Sequence, residues 1–150
     1  IKMTRLNCQN LAYRFFSSSV IFFSTVSQLS PLRIFAHILV GVIFTESINA
    51  DTKLVALVLT PTGDLYLQWR DTTGGADGWT LLGNVQLPVY LKLERSGDTF
   101  TAYKSTDEID WGAALGSHTV TMESSLETGV CVSSNNNNAL NAALFSDITM

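Results

Sequence analysis

Charge is scarce in this sequence. Only 15% of its 150 residues are Asp, Glu, Lys or Arg, against about 25% in an average soluble domain. The Lys and Arg residues form no cluster, and the formal net charge is −4. The electrostatic footprint of a nucleic-acid binder is therefore missing, and no nucleic-acid partner is expected. Cysteine is nearly absent as well. Cys8 and Cys131 are too few and too far apart for a metal site or a disulfide framework. One bridge between them, or two separately buried thiols, both remain open readings. The longest apolar run, Ile34 to Phe44, contains His37 and is too short for a bilayer span of about 20 residues. No transmembrane segment is expected, and no Asn-x-Ser/Thr acceptor occurs.

What is present is apolar and alternating. Hydrophobic residues make up 46% of the chain and the mean hydropathy is +0.21, enough for a sizeable core in one domain. Residues 1–10 show no period and read as an N-terminal arm, with a single domain over 11–150. Short strands are expected at 11–16, 20–26 and 39–45. The run 34–46 is long enough for a helix, but Gly41 sits inside it and Val40, Val42, Ile43 and Thr45 favour a pleat. Leu54 to Leu59 is apolar at every position, as in a central strand covered on both sides. Leu65, Leu67 and Trp69 alternate with Tyr66, Gln68 and Arg70. Asp71 to Gly78 is a glycine-rich loop, and 80–85 a short strand. Further strands are expected at 117–122, 127–134 and 140–150. Turns between every pair, with helix limited to a turn or two, predict an antiparallel sandwich or jelly roll.

The stretch from Val89 to Trp111, VYLKLERSGDTFTAYKSTDEIDW, organises this pattern. Val89, Leu91 and Leu93 alternate with Tyr90, Lys92 and Glu94. Ser96-Gly97-Asp98 supplies turn chemistry, and Thr99 to Ser105 resumes the strand. A second turn, 106–110, delivers Trp111. The stretch resembles the strand–turn–strand WLRLVR…NTFTAYYSSDG…W of bacterial modules in the concanavalin A-like lectin/glucanase superfamily, in the branch similar to the "regulation of enolase" protein. The matching residues are Tyr90 to Arg95, Asp98 to Tyr103, Ser105 to Asp107, and Trp111. Glu108 stands where that family has Gly. Gly41 to Ser47 resembles its GVMIRES strand, Gly129 to Asn135 its VGLAVTSHN strand, and Ala143 to Met150 its closing strand. The resemblance runs over roughly 38–150 and implies an all-β, concanavalin A-like antiparallel β-sandwich (jelly roll). It also implies a non-catalytic glycan-binding module outside the cell or at its surface.

Catalytic chemistry finds little footing. Glucanases of that superfamily resemble one another in an E-x-D-x-E strand, whose alternation places three carboxylates on one face for acid and nucleophile work. Here Glu46, Glu94, Glu108, Glu123 and Glu127 stand apart from any such pattern. No catalytic residue, cofactor or resident metal is expected. Asp107, Glu108 and Asp110 offer hard oxygens to calcium, but the bland reading is a turn whose Asp bonds its own backbone. Asp64, Asp71 and Asp77 invite the calcium idea with less support. His37 and His118 lack partners at ligand spacing. Gly74-Gly75 lacks the Lys and helix of a phosphate loop.

Aromatic residues are the better lead, because sugar rings stack on exposed aromatic faces beside a few placed polar groups. Tyr66, Gln68 and Arg70 share the face opposite Leu65, Leu67 and Trp69. Trp79 leaves the glycine-rich loop near Asp77. Tyr66, Gln68, Arg70, Asp77 and Trp79 are the candidate glycan site. Tyr90 and Tyr103 point away from their strands' apolar faces, while Trp69 and Trp111 are assigned to the core. A second core layer or a protein interface would use the same residues. A structural subunit of a fibre, surface layer or larger assembly is the competing function, packing through the apolar residues 1–35.

Overall fold

In the computed structural model the described residues are 20–25, 39–133 and 144–149. Side chains are described for 39–132. They form ten strands and no helix: β1 (Val20–Thr25), β2 (Leu39–Thr45), β3 (Leu54–Leu59), β4 (Asp64–Arg70), β5 (Gly78–Asn84), β6 (Val89–Ser96), β7 (Thr99–Ser105), β8 (Gly116–Thr119), β9 (Glu127–Ser133) and β10 (Leu144–Thr149). All described pairings are antiparallel. One sheet has the order β10-β1-β6-β7-β8 and the other β5-β4-β3-β2-β9. The chain therefore changes sheet between β1 and β2, β5 and β6, β8 and β9, and β9 and β10. This is the all-β jelly-roll sandwich that the alternation predicts. Residues 1–19 and 26–38 lie outside the described residues. So do the expected arm, the expected strand at 11–16, the assembly surface over 1–35 apart from the backbone of β1, and His37 and Cys8.

Alternation decides which side chains the sheets enclose. On β6, Val89, Leu91 and Leu93 are buried, and on β7 Phe100 and Ala102 meet them. Val42, Phe44, Val55, Leu57, Leu65 and Leu67 close the same core from the opposite sheet. Phe44 and Phe100 touch across the gap with ring centroids 5.4 Å apart. The turn at Ser96-Gly97-Asp98 is tight, and Gly97 takes φ 61° there, a conformation glycine adopts at no steric cost. Val58, Ala56 and Ile43, on the other face of β3 and β2, are also buried, with Cys131. Cys131 is a free thiol, and burial pushes its pKa up to about 12. A buried strand apolar on both faces is what Leu54 to Leu59 foretells.

Three sequence expectations change. The strand expected at 117–122 ends at Thr119. Val120 and Met122 are nonetheless buried, so their alternation reports packing rather than pairing. The strand at 80–85 begins two residues earlier, at Gly78. Trp111 is the third and falls outside the core. It is half-buried, and the Lys92 ammonium sits 4.8 Å from its ring centroid and 4.5 Å from that of Tyr103. Lys92 lies on the outward side of β6 and pairs with Glu94 at 2.9 Å. The second turn thus carries Trp111 onto the outer face of its sheet.

Candidate functional site

The outer face of β4 and β5 carries the candidate residues, and a bulge puts them there. At the start of the pair Asp64 faces Asn84 and Leu65 faces Gly83, but Tyr66 then faces Leu81. One extra residue, Leu82, is inserted in β5. Because side chains alternate, one residue of slip moves every later side chain to the other face. Without the bulge Trp79 would face Trp69 on the inner side. With it, Trp79 faces Gln68. Leu82 turns in to pack on the core, while Trp79 and Leu81 stay exposed, at 65% and 51%. β5 is also the edge strand of its sheet, with no further strand beside it among the described residues.

Tyr66 and Trp79 meet edge to face, with ring centroids 5.7 Å apart and planes at 80°. Trp79 keeps 65% of its surface exposed beside this contact. Gln68 stands directly opposite Trp79 in register, two residues along β4 from Tyr66. At the end of β4, Arg70 donates from Nε to Asp77 Oδ1 at 2.9 Å, and its Nη2 lies 2.8 Å from the same oxygen. Its Nη1 donates to the Ala50 carbonyl at 2.6 Å and the Thr52 carbonyl at 3.1 Å. The glycine-rich loop is thereby tied to the neighbouring 50–52 turn, as is the Gly74 N–H that donates to the Asp51 carbonyl at 2.7 Å. All five candidate residues fall on one surface. Arg70 and Asp77, however, are engaged with each other rather than standing open as two separate hydroxyl partners. Leu81 is the neighbour that sequence reasoning missed. Its alternation with Trp79 was the available signal.

The remaining candidates resolve into structural roles. Gly78 lies against Trp69, and a Cβ there would run into the indole. Trp69 is half-buried against the core and stacks on His118, whose Nε2 is 2.8 Å from Asp71 Oδ1. His118 does have partners, supplied from β4 and the loop after it. Asp107 caps its own turn. Its Oδ1 accepts from the Ile109 and Asp110 amides and from the Ser105 hydroxyl. These bonds, the Asp110 amide foremost, hold its carboxyl below the ordinary value of 3.8. Among the described residues no three His, Cys, Asp or Glu groups converge as a metal site. Asp64 accepts from Thr62 and Asn84 and closes the turn before β4. Tyr90 and Tyr103 lie on the outward side of the other sheet, remote from Trp79.

No family model matches the chain, and no curated protein does. Among solved structures, a double variant of human galectin-16 aligns over 97% of this chain and 99% of that one, with 14% sequence identity and a TM-score of 0.48.

Proposed function

We propose that this chain is a non-catalytic glycan-binding module that grips sugar on the outer face of β4 and β5. The observation that carries the reading is Trp79. A tryptophan 65% exposed on a strand, braced by Tyr66, keeps a large apolar face in water, and exposed apolar groups of this size mark contact sites. Gln68, opposite Trp79 in register, and Asp77, two residues before Trp79 and 44% exposed, are the neighbouring polar side chains. The resemblance of the 89–111 stretch to lectin/glucanase modules points the same way. Along β4 and just before β5 the described carboxylates Asp64 and Asp77 are taken up in hydrogen bonds with Thr62, Asn84 and Arg70, an arrangement in keeping with a binding role. On this reading the module works at the cell surface or outside the cell, where polysaccharide is met. Antibody labelling of intact against lysed cells tests that placement.

The direct test is a glycan array followed by titration of the best ligand. Trp79→Ala is expected to weaken binding by roughly 1–3 kcal/mol, the range for losing one stacked ring. Folding stability should change by no more than about 0.5 kcal/mol, as for other exposed positions. Binding that is indifferent to both Trp79→Ala and Tyr66→Ala overturns the assignment.

A further inference from the structure

We infer that this surface selects neutral sugars and discriminates against those carrying a carboxylate or sulfate. The inference rests on the glycan reading above and deepens it. Arginine is the usual anion fork, because two parallel N–H groups match the two oxygens of a carboxylate. Arg70 is the cation beside Trp79, and its guanidinium is already spent. Of its five N–H groups, the one on Nε donates to Asp77 Oδ1, while Nη2 lies 2.8 Å from the same oxygen as an ion pair. Both on Nη1 go to the Ala50 and Thr52 carbonyls. Only Nη2 keeps N–H groups outside these hydrogen bonds, and a fork onto two oxygens needs two nitrogens; the side chain is only 14% exposed.

Charge argues in the same direction. Asp77 neutralises Arg70 and is itself 44% exposed, with Oδ2 making no hydrogen bond to a described residue. An anion arriving here meets a carboxylate first. A hydroxyl arriving here meets an acceptor. No other described cation relieves the mismatch. Lys53 pairs with Glu46, Lys92 with Glu94 and Arg95 with Asp98, and Lys104 lies on β7 in the other sheet. The indole face adds to the effect, since the π cloud is the negative side of an aromatic ring. It favours the C–H face of a pyranose and disfavours a carboxylate. Gln68, with both donor and acceptor atoms and no described hydrogen-bond partner, suits hydroxyls.

The experiment uses the full chain on a panel that pairs each neutral oligosaccharide with its sialylated, uronic-acid and sulfated counterparts at fixed salt. Neutral members should bind about tenfold more tightly than their acidic counterparts. Asp77→Asn, which removes the carboxylate and loosens its hold on Arg70, should shift that ratio toward the acidic members. Acidic members bound as tightly as neutral ones, with Trp79→Ala abolishing both, would overturn the selectivity while leaving the glycan site in place. A panel with no Trp79-dependent binding defeats the site and the selectivity together.

Discussion

The indole of Trp69 and the imidazole of His118 lie stacked, ring centroids 3.9 Å apart and planes 18° from parallel. Trp69 is on β4 and His118 on β8, so the contact joins the two sheets. Asp71, two residues beyond Trp69, holds the far side of the imidazole at 2.8 Å. The side chain of His118 is 24% exposed, placing this clasp at the rim of the sandwich rather than in its centre.

Removing the ring should therefore cost stability in the range of an aromatic pair. His118→Ala is expected to lower the unfolding free energy by about 1 kcal/mol. His118→Phe keeps a ring over Trp69 and loses only the Asp71 bond, which is partly exposed and worth little. It should recover most of the loss in a urea titration. Equal losses for both variants would show that the hydrogen bond, not the stack, carries the contact.

Glu108 has φ 66°, the one non-glycine residue with positive φ among those described. A side chain pays roughly 1–2 kcal/mol in that region, and the resembling family has glycine at this position. Glu108→Gly should raise stability by about 0.5–1 kcal/mol, the relief of strain less the added freedom of the unfolded chain. Thermal unfolding measures it. A destabilised variant would show that the Glu108 side chain repays the strain by some other contact.

Gly41 sits mid-strand on β2, paired with Val58 and Cys131. A Cβ there would be driven into the Leu57 carbonyl, and backbone on a central strand has little room to yield. Gly41→Ala is expected to destabilise by roughly 1–3 kcal/mol, the cost of overpacking. A near-neutral result in chemical denaturation would mean that β2 and β3 slide apart freely at this point.

The Asp107 turn should respond to acid in a defined direction. Its folded carboxyl titrates below the ordinary 3.8 because the Asp110 and Ile109 amides and the Ser105 hydroxyl bond the ionised form. The stabilisation is thus fully present above the unfolded value and is lost as pH falls through the folded one. Protection of the Ile109 and Asp110 amides, measured against their intrinsic exchange rates, should fall only below about pH 4. Asp107→Asn retains an accepting oxygen and should flatten that dependence. A dependence unchanged in the Asn variant would assign it to another carboxylate.

Much of the sandwich is legible along the chain because strand alternation is a local property. Leu65, Leu67, Val89, Leu91, Leu93, Phe100 and Ala102 all declare their inward faces by period alone, and all are buried. The Ser96-Gly97-Asp98 turn and the two-sided Leu54 to Leu59 strand are readable for the same reason. The outward company of Tyr66, Gln68 and Arg70 also follows from alternation within β4.

Pairing is not local, and that is where the tertiary structure decides. Whether Trp79 faces Trp69 in the interior or Gln68 on the surface depends on one inserted residue at Leu82. Gly83, at φ 128° beside the slip, is its one mark in the sequence of β5, and a strand glycine does not by itself say which way the register moves. Arg70 looks like an open sugar or anion ligand until the turn at 50–52 is folded against it and takes its N–H groups. His118 looks partnerless until β8 crosses β4 and brings it to Trp69 and Asp71. Trp111 reads as core because tryptophan is apolar, yet the turn before it leaves it on the outer face beside Lys92. The sequence determines which way each strand's side chains point relative to one another. Register and sheet packing, set by contacts between residues far apart in the chain, determine what those side chains meet.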